Sequence, residues 1–235
     1  MEDLILTADN VQKRYGRHKI LNGVSMSVKK GEIYGLLGKN GSGKTTMFRI
    51  ITGLIPNYNG KIAIGVNNDP KCKVSAVINS PSLFLNMDSF QNMNLQAYLL
   101  GIKNREKIEE VLTEIGLIKH SKKPVGTFSL GMIQRLRLGV ALLSQPNVLL
   151  LDEPSNGLDP DGIVELRELL IGLNRSKNIT LLVSSHILNE LEQLATNIGI
   201  LHNGKIVKQE TLTSILENFR SLEEFYLSYT KGEQQ

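Results

Sequence analysis

Residues 38–46 read Gly-Lys-Asn-Gly-Ser-Gly-Lys-Thr-Thr, a segment crowded with glycines, lysines and hydroxyls. Gly38, Gly41 and Gly43 let the backbone turn until successive amide N–H groups point inward, where they can meet phosphate oxygens without side chains in the way. In such a loop Lys44 reaches the β- and γ-phosphates, and the hydroxyl of Thr45 suits a magnesium ion travelling with them; Lys39, Asn40, Ser42 and Thr46 complete the candidate binding segment. Taken alone, the stretch is also readable as a glycine-rich surface turn. Its flanks favour the phosphate loop: the apolar run Ile33–Leu37 precedes it, and the periodic Met47, Phe48, Ile50 and Ile51 follow. That is the strand, loop and helix order the motif requires, and the helix starting near Lys44 adds its positive dipole end.

A triphosphate site needs a second, acidic element. Val148-Leu149-Leu150-Leu151-Asp152-Glu153-Pro154 supplies a fully apolar strand ending in two carboxylates. Asp152 is placed to hold the magnesium shell. Strand alternation is expected to project Glu153 the other way, where it can orient or deprotonate an attacking water. By itself the pair reads as a strand ending in a polar turn; beside a phosphate loop it reads as the acidic half of one site.

Positioning these groups requires a sheet with helices around it. Leu4–Val11 and Ile20–Val28 read as strands broken at Gly16 and Lys30-Gly31, forming an antiparallel edge layer. Lys61–Val66 and Val74–Ile78 read as further strands. The character then becomes helical: Asp88 caps a segment running through Phe90, Leu95, Tyr98 and Leu99 to Gly101, and Ile108, Val111, Leu112 and Ile115 stripe another ending at Gly116. After the acidic strand come a helix around Ile163–Leu173, a strand Ile179–Ser184, a short helix near Leu188–Leu194, and Ile198–Val207, whose Asn203-Gly204 is a strong hairpin signal.

Composition narrows the class modestly. The 235 residues include a single cysteine, Cys72, which excludes an internal disulfide and suits a reducing cytosol. No charged-then-apolar leader is present and no apolar run reaches the roughly 18 residues that span a bilayer, so a soluble chain is expected. The net charge of +4 is spread in short groups such as Lys29-Lys30 and Lys122-Lys123, read as solvated faces.

With these residues in view, the chain resembles the nucleotide-binding subunit of an ATP-binding cassette (ABC) transporter over essentially its whole length. Phe128-Ser129-Leu130-Gly131-Met132 with Gln134 and Arg135 resembles the family's signature segment. Ser155-Asn156-Gly157-Leu158-Asp159 resembles the D-loop, Ser184-Ser185-His186 resembles the switch histidine, and Tyr15 stands where the family places an aromatic ring against adenine. The resemblance implies an α/β fold: a P-loop NTPase (RecA-like) core, 1–79 and 140–209, with the antiparallel β edge layer, an inserted α-helical subdomain, 80–139, and a short helical tail, 210–235. It implies ATP and Mg2+ as ligands, a membrane permease as partner, and a second ATPase subunit, in a homodimer or paired with a relative of the chain. The implied location is cytoplasmic, peripheral on the membrane through the permease. Two ATP molecules would then lie between two copies, each held by the loop of one and by Ser129, Leu130, Gly131 and Met132 of the other. Ser129 can cap the helix beginning at Gly131 so that this helix presents a positive end to the γ-phosphate. The resemblance further implies that Glu153 and His186 are catalytic, and that Asp159 links the two sites. Outside that context His186 reads as a structural histidine and Tyr15 as an edge-packing residue.

The sequence departs from the family pattern at Asn79, where most members carry a glutamine that contacts magnesium; asparagine keeps the amide oxygen on a stem one methylene shorter. Leu130 and Met132 replace a small residue and a glutamine. Ser129-Leu130-Gly131-Met132, Ser80-Pro81 and Ser221-Leu222-Glu223-Glu224-Phe225 are similar to ATPases of bacterial exporters for peptide antibiotics, which confer immunity or resistance to lantibiotics or bacitracin. Two other readings stand beside this one. Asn79 and the altered signature suit an ATP-dependent scaffold or regulator with weak hydrolysis. The mild basicity suits a nucleic-acid- or ribosome-acting ATPase, though one cassette with a short insertion makes no nucleic-acid partner the expectation.

Overall fold

The computed structural model describes residues 3–78 and 83–231. The chain opens with two long strands, β1 (Leu4–Tyr15) and β2 (His18–Lys29), then β3 (Ile33–Leu37), α1 (Lys44–Ile51), β4 (Asn59–Ile64) and β5 (Val74–Val77). Three helices follow: α2 (Ser89–Leu99), α3 (Arg105–Glu114) and α4 (Leu130–Leu142). The chain returns to the sheet with β6 (Val148–Asp152), α5 (Pro160–Lys177), β7 (Thr180–Ser185), α6 (Leu188–Leu194), β8 (Asn197–His202) and β9 (Lys205–Thr211), and ends in α7 (Leu212–Asn218) and α8 (Leu222–Thr230).

Among the described residues these strands form two sheets. The smaller runs β2-β1-β4 and is antiparallel, the expected edge layer. The larger runs β5-β6-β7-β3-β8-β9, parallel up to β8 and closed by antiparallel β9. The β8–β9 turn has left-handed Asn203 (φ 47°) and Gly204 (φ 73°), the backbone that the Asn-Gly pair favours.

The central strands are apolar throughout because both faces are covered. Alternate residues of β6 divide between two cores: Val148 and Leu150 join Leu6, Val24, Met47 and Phe48 beneath the edge layer, whereas Leu149 and Leu151 join Leu112, Leu166 and Leu170 on the opposite face. Each such leucine contributes about 2 kcal/mol of burial. One polar joint ties the sheets: the buried Tyr34 hydroxyl donates to Gln209 Oε1 at 3.2 Å, and Gln209 Nε2 donates to the carbonyl of Ser27 at 2.7 Å. Burial drives the Tyr34 phenol far above its ordinary pKa, so it stays a donor.

Several boundaries and one helix face differ from the sequence expectation. Strand β4 stops at Ile64, and the chain turns through Val66–Asn68 with Asn67 and Asn68 left-handed. Asp88 does cap α2, its Oδ1 accepting the N–H of Gln91 at 2.7 Å. The buried face of α2, however, is Asn92, Met93 and Ala97, while Tyr98 and Leu99 are 76% and 69% exposed. Asn92 fixes that face: its Nδ2 donates to the Phe84 carbonyl at 3.0 Å and its Oδ1 accepts the Phe84 N–H at 2.8 Å, anchoring the incoming loop. Satisfying those backbone groups outweighs burying the larger apolar side chains one turn on. Among the described residues no helix is long and apolar enough to cross a membrane.

Candidate functional site

The phosphate loop leaves β3 at its carboxyl end and enters α1, with β7 next to β3 in the sheet and β6 one strand further out. Two glycines are required for different reasons. Gly43, just before α1, has φ 110°, and a Cβ there would lie 2.6 Å from Leu21 Cδ2. Gly38 has ordinary backbone geometry but no room, since a Cβ would sit 2.6 Å from the Leu201 carbonyl oxygen and from Ser42 Oγ. Ser42 Oγ is buried without a hydrogen-bond partner among the described residues, a donor left over inside a loop built for an anion. A cleft of about 260 Å³ opens over the loop, bordered by Lys39, Asn40, Gly41, Lys44, Thr45 and Thr46, and reached by Tyr15 and Glu153.

Lys44 is 5% exposed. Its Nζ donates to the carbonyl of Gly38 at 2.5 Å and lies 3.0 Å from Glu153 Oε1. The other oxygen of Glu153 lies 2.6 Å from Nδ1 of His186. One carboxylate therefore holds the loop's lysine and the histidine that follows β7.

Glu153 does not reach this place by strand alternation, which corrects the sequence expectation. Strand β6 ends at Asp152, and Glu153 is left-handed, φ 51°, a backbone that costs a non-glycine residue about 1–2 kcal/mol. Its N–H donates to Ser184 Oγ at 3.0 Å and contacts the Ser184 carbonyl at 3.2 Å, which stabilises the turn. Ser184 also donates to Asp152 Oδ1 at 2.6 Å, so one buried hydroxyl orders both acidic residues. The sequence reading gave Ser184 no such role; the signal was a hydroxyl at the end of a buried strand neighbouring the acidic one.

The second oxygen of Asp152 accepts the Thr45 hydroxyl at 2.7 Å. This pair of hard oxygen ligands suits magnesium, which keeps water and phosphate oxygens for most of its shell. Among the described residues no cluster of three His, Cys, Asp or Glu side chains could hold a metal ion.

Tyr15 ends β1, is 48% exposed, and has Lys13 Nζ 5.1 Å from its ring centroid. The signature segment does not border the Lys44 cleft. Ser129 caps α4, its Oγ accepting the Met132 N–H at 3.2 Å, and α4 starts at Leu130, one residue earlier than expected. Leu130 is exposed and lies against Gly157, and nothing crowds Gly131. Asp159 spends one oxygen capping α5, accepting the Gly162 N–H at 3.0 Å. Asn79 lies outside the described residues.

Comparison with known proteins gives the family. Residues 21–156 match the family described as ABC transporter, and a shorter match over residues 122–192 is to an AAA domain described as putative AbiEii toxin, Type IV TA system. The bacitracin transport ATP-binding protein BcrA of Bacillus licheniformis is 42% identical over 97% of this chain and 76% of its own. The lantibiotic transport ATP-binding protein SrtF of Streptococcus pyogenes is 40% identical over 88% of this chain and 90% of its own. A solved ATP-binding subunit of an ABC transporter superposes with a TM-score of 0.79 at 28% identity, covering 96% of this chain and 99% of that one. The chain is an ATPase that belongs to the ATP-binding subunits of ABC transporters, proteins that work with membrane permeases.

Proposed function

We propose that this chain powers export of a peptide antibiotic of the bacitracin or lantibiotic kind through a separate permease, giving immunity or resistance. The convergence of Lys44, Glu153 and His186 carries the hydrolytic part of this reading. The cargo rests on the names of the relatives at 42% and 40% identity.

Tyr15 receives adenine, and the amides of the loop with Lys44, Ser42 and Thr46 receive the phosphates. Lys44 leaves Glu153 for the β- and γ-phosphates as they enter. Thr45 and Asp152 would hold a magnesium ion, which would neutralise charge on the phosphate oxygens, and Asn79, with its amide oxygen, is the further candidate ligand. Glu153, released from Lys44, accepts a proton from the attacking water as its oxygen bonds to the γ-phosphorus and the bond to ADP breaks. His186 stabilises the charge growing on the γ-phosphoryl oxygens.

The signature lies away from the cleft of its own chain, which supports a homodimer in which Ser129 and Gly131 close over the partner's ATP. Asp159, already fixed as a helix cap, then stands at the junction of the two sites. The working location is the cytoplasmic face of the membrane, on the permease. Purified chain should hydrolyse ATP with magnesium, and Glu153→Gln should lose turnover by at least about a hundredfold. Loss of the chain in cells that carry the permease should sensitise them to bacitracin or a lantibiotic and leave an unrelated antibiotic unaffected; unchanged sensitivity to both peptides would remove the cargo assignment. Substantial turnover surviving Glu153→Gln would instead favour a different base.

A further inference from the structure

Behind the acidic turn a second carboxylate joins that turn to the end of β7. Ser155, two residues beyond Glu153, donates its hydroxyl to Glu190 Oε2. Ser185, immediately before His186, lies 3.3 Å from the same oxygen. Ser185 Oγ also accepts the N–H of Ile187 at 2.9 Å, which bends the chain back beneath His186. The meeting point borders a water-sized, mainly apolar cavity of about 30 Å³ under Leu166, Leu170 and Leu191. Such surroundings strengthen hydrogen bonds, and beside Glu190 the Ser185 hydroxyl can reach only the Ile187 carbonyl, at 3.4 Å, among the described residues.

We propose that Glu190 is a positioning residue for hydrolysis: by holding Ser155 and Ser185 on one oxygen, it fixes the distance between the turn that carries Glu153 and the loop that carries His186. Glu153 is set by an unusual backbone and His186 by a half-exposed loop, yet their side chains meet at 2.6 Å. The chain segments on either side must therefore be closely spaced; Ser184 joins them from the end of β7, and Glu190 touches both from α6. It does not border the cleft around Lys44, so it acts on the chemical step and not on nucleotide capture.

This inference rests on the roles given above to Glu153 and His186. Its test compares Glu190→Gln, which keeps an acceptor oxygen for both hydroxyls, with Glu190→Leu, which keeps most of the volume and no acceptor. Glu190→Gln is expected to stay within about threefold of wild type in kcat, and Glu190→Leu to lose about ten- to a hundredfold, with KM for ATP within about twofold for both. Ser155→Ala and Ser185→Ala should each lower kcat severalfold, and neither should add its full loss to that of Glu190→Leu. These serine variants carry the test should Glu190→Leu fail to fold. Unchanged kcat in Glu190→Leu and in both serine variants overturns the proposal, as does a loss of ATP affinity equal to the loss of kcat. Glu153→Gln in the same assay separates the two levels: if it turns over normally, the reading of Glu153 fails; if it is inactive while Glu190→Leu is fully active, only the role of Glu190 fails.

Discussion

Lys44 Nζ rests 3.0 Å from Glu153 Oε1, so the cation proposed to grip phosphate is neutralised by the carboxylate proposed to activate water. Two consequences oppose each other in Glu153→Gln. Without nucleotide, Lys44 keeps its carbonyl partners but loses its counter-charge, lowering stability by about 2 kcal/mol. With nucleotide, the variant no longer sets a negative charge against the phosphates, and ATP should bind about tenfold more tightly. Thermal unfolding without ATP and equilibrium titration with it measure the two; weaker ATP binding would contradict the pairing as the resting state.

Substitution of Gly131 tells the proposed dimeric site from a monomeric one. A Cβ there meets nothing closer than Ser129 Oγ at 3.9 Å, and alanine favours a helix over glycine by about 1 kcal/mol. Gly131→Ala should therefore leave the monomer as stable or slightly more so and still able to bind ATP, yet lose most turnover because the added methyl crowds the partner's γ-phosphate. Wild-type turnover in this variant would place the signature elsewhere.

Tyr34 offers a structural control. Tyr34→Phe removes the donor to Gln209 in the joint between the two sheets, at a cost of about 1 kcal/mol, with ATP turnover within about twofold of wild type. A calorimetric scan alongside the ATPase assay decides it, and a large loss of activity would show that the joint influences the site.

At Asn79 the prediction concerns coupling. Asn79→Gln restores the longer amide and should leave ATP affinity nearly unchanged while altering turnover in the presence of the permease. Loss of ATP binding would mean that this segment does not stand where the family resemblance puts it.

The loop, the acidic strand and the Asn203-Gly204 hairpin were legible because each is written in contiguous residues whose local chemistry dictates their backbone. What stayed hidden depends on residues far apart in sequence. The approach of Glu153 to Lys44 relies on a left-handed turn held by Ser184, against the alternation that would otherwise place it. The face of α2 depends on Asn92 anchoring the loop at Phe84, which turns Tyr98 and Leu99 outward. The meeting of Ser155, Ser185 and Glu190 spans a turn, the end of a strand and a helix that no spacing rule connects.

The central claim, that ATP is cleaved between two copies with Glu153 as base, is tested most directly by light scattering of Glu153→Gln with ATP and magnesium. The account predicts a stable species of twice the 26.1 kDa chain mass that disperses when ATP is removed. A particle of single-chain mass at saturating, verified ATP occupancy would contradict it.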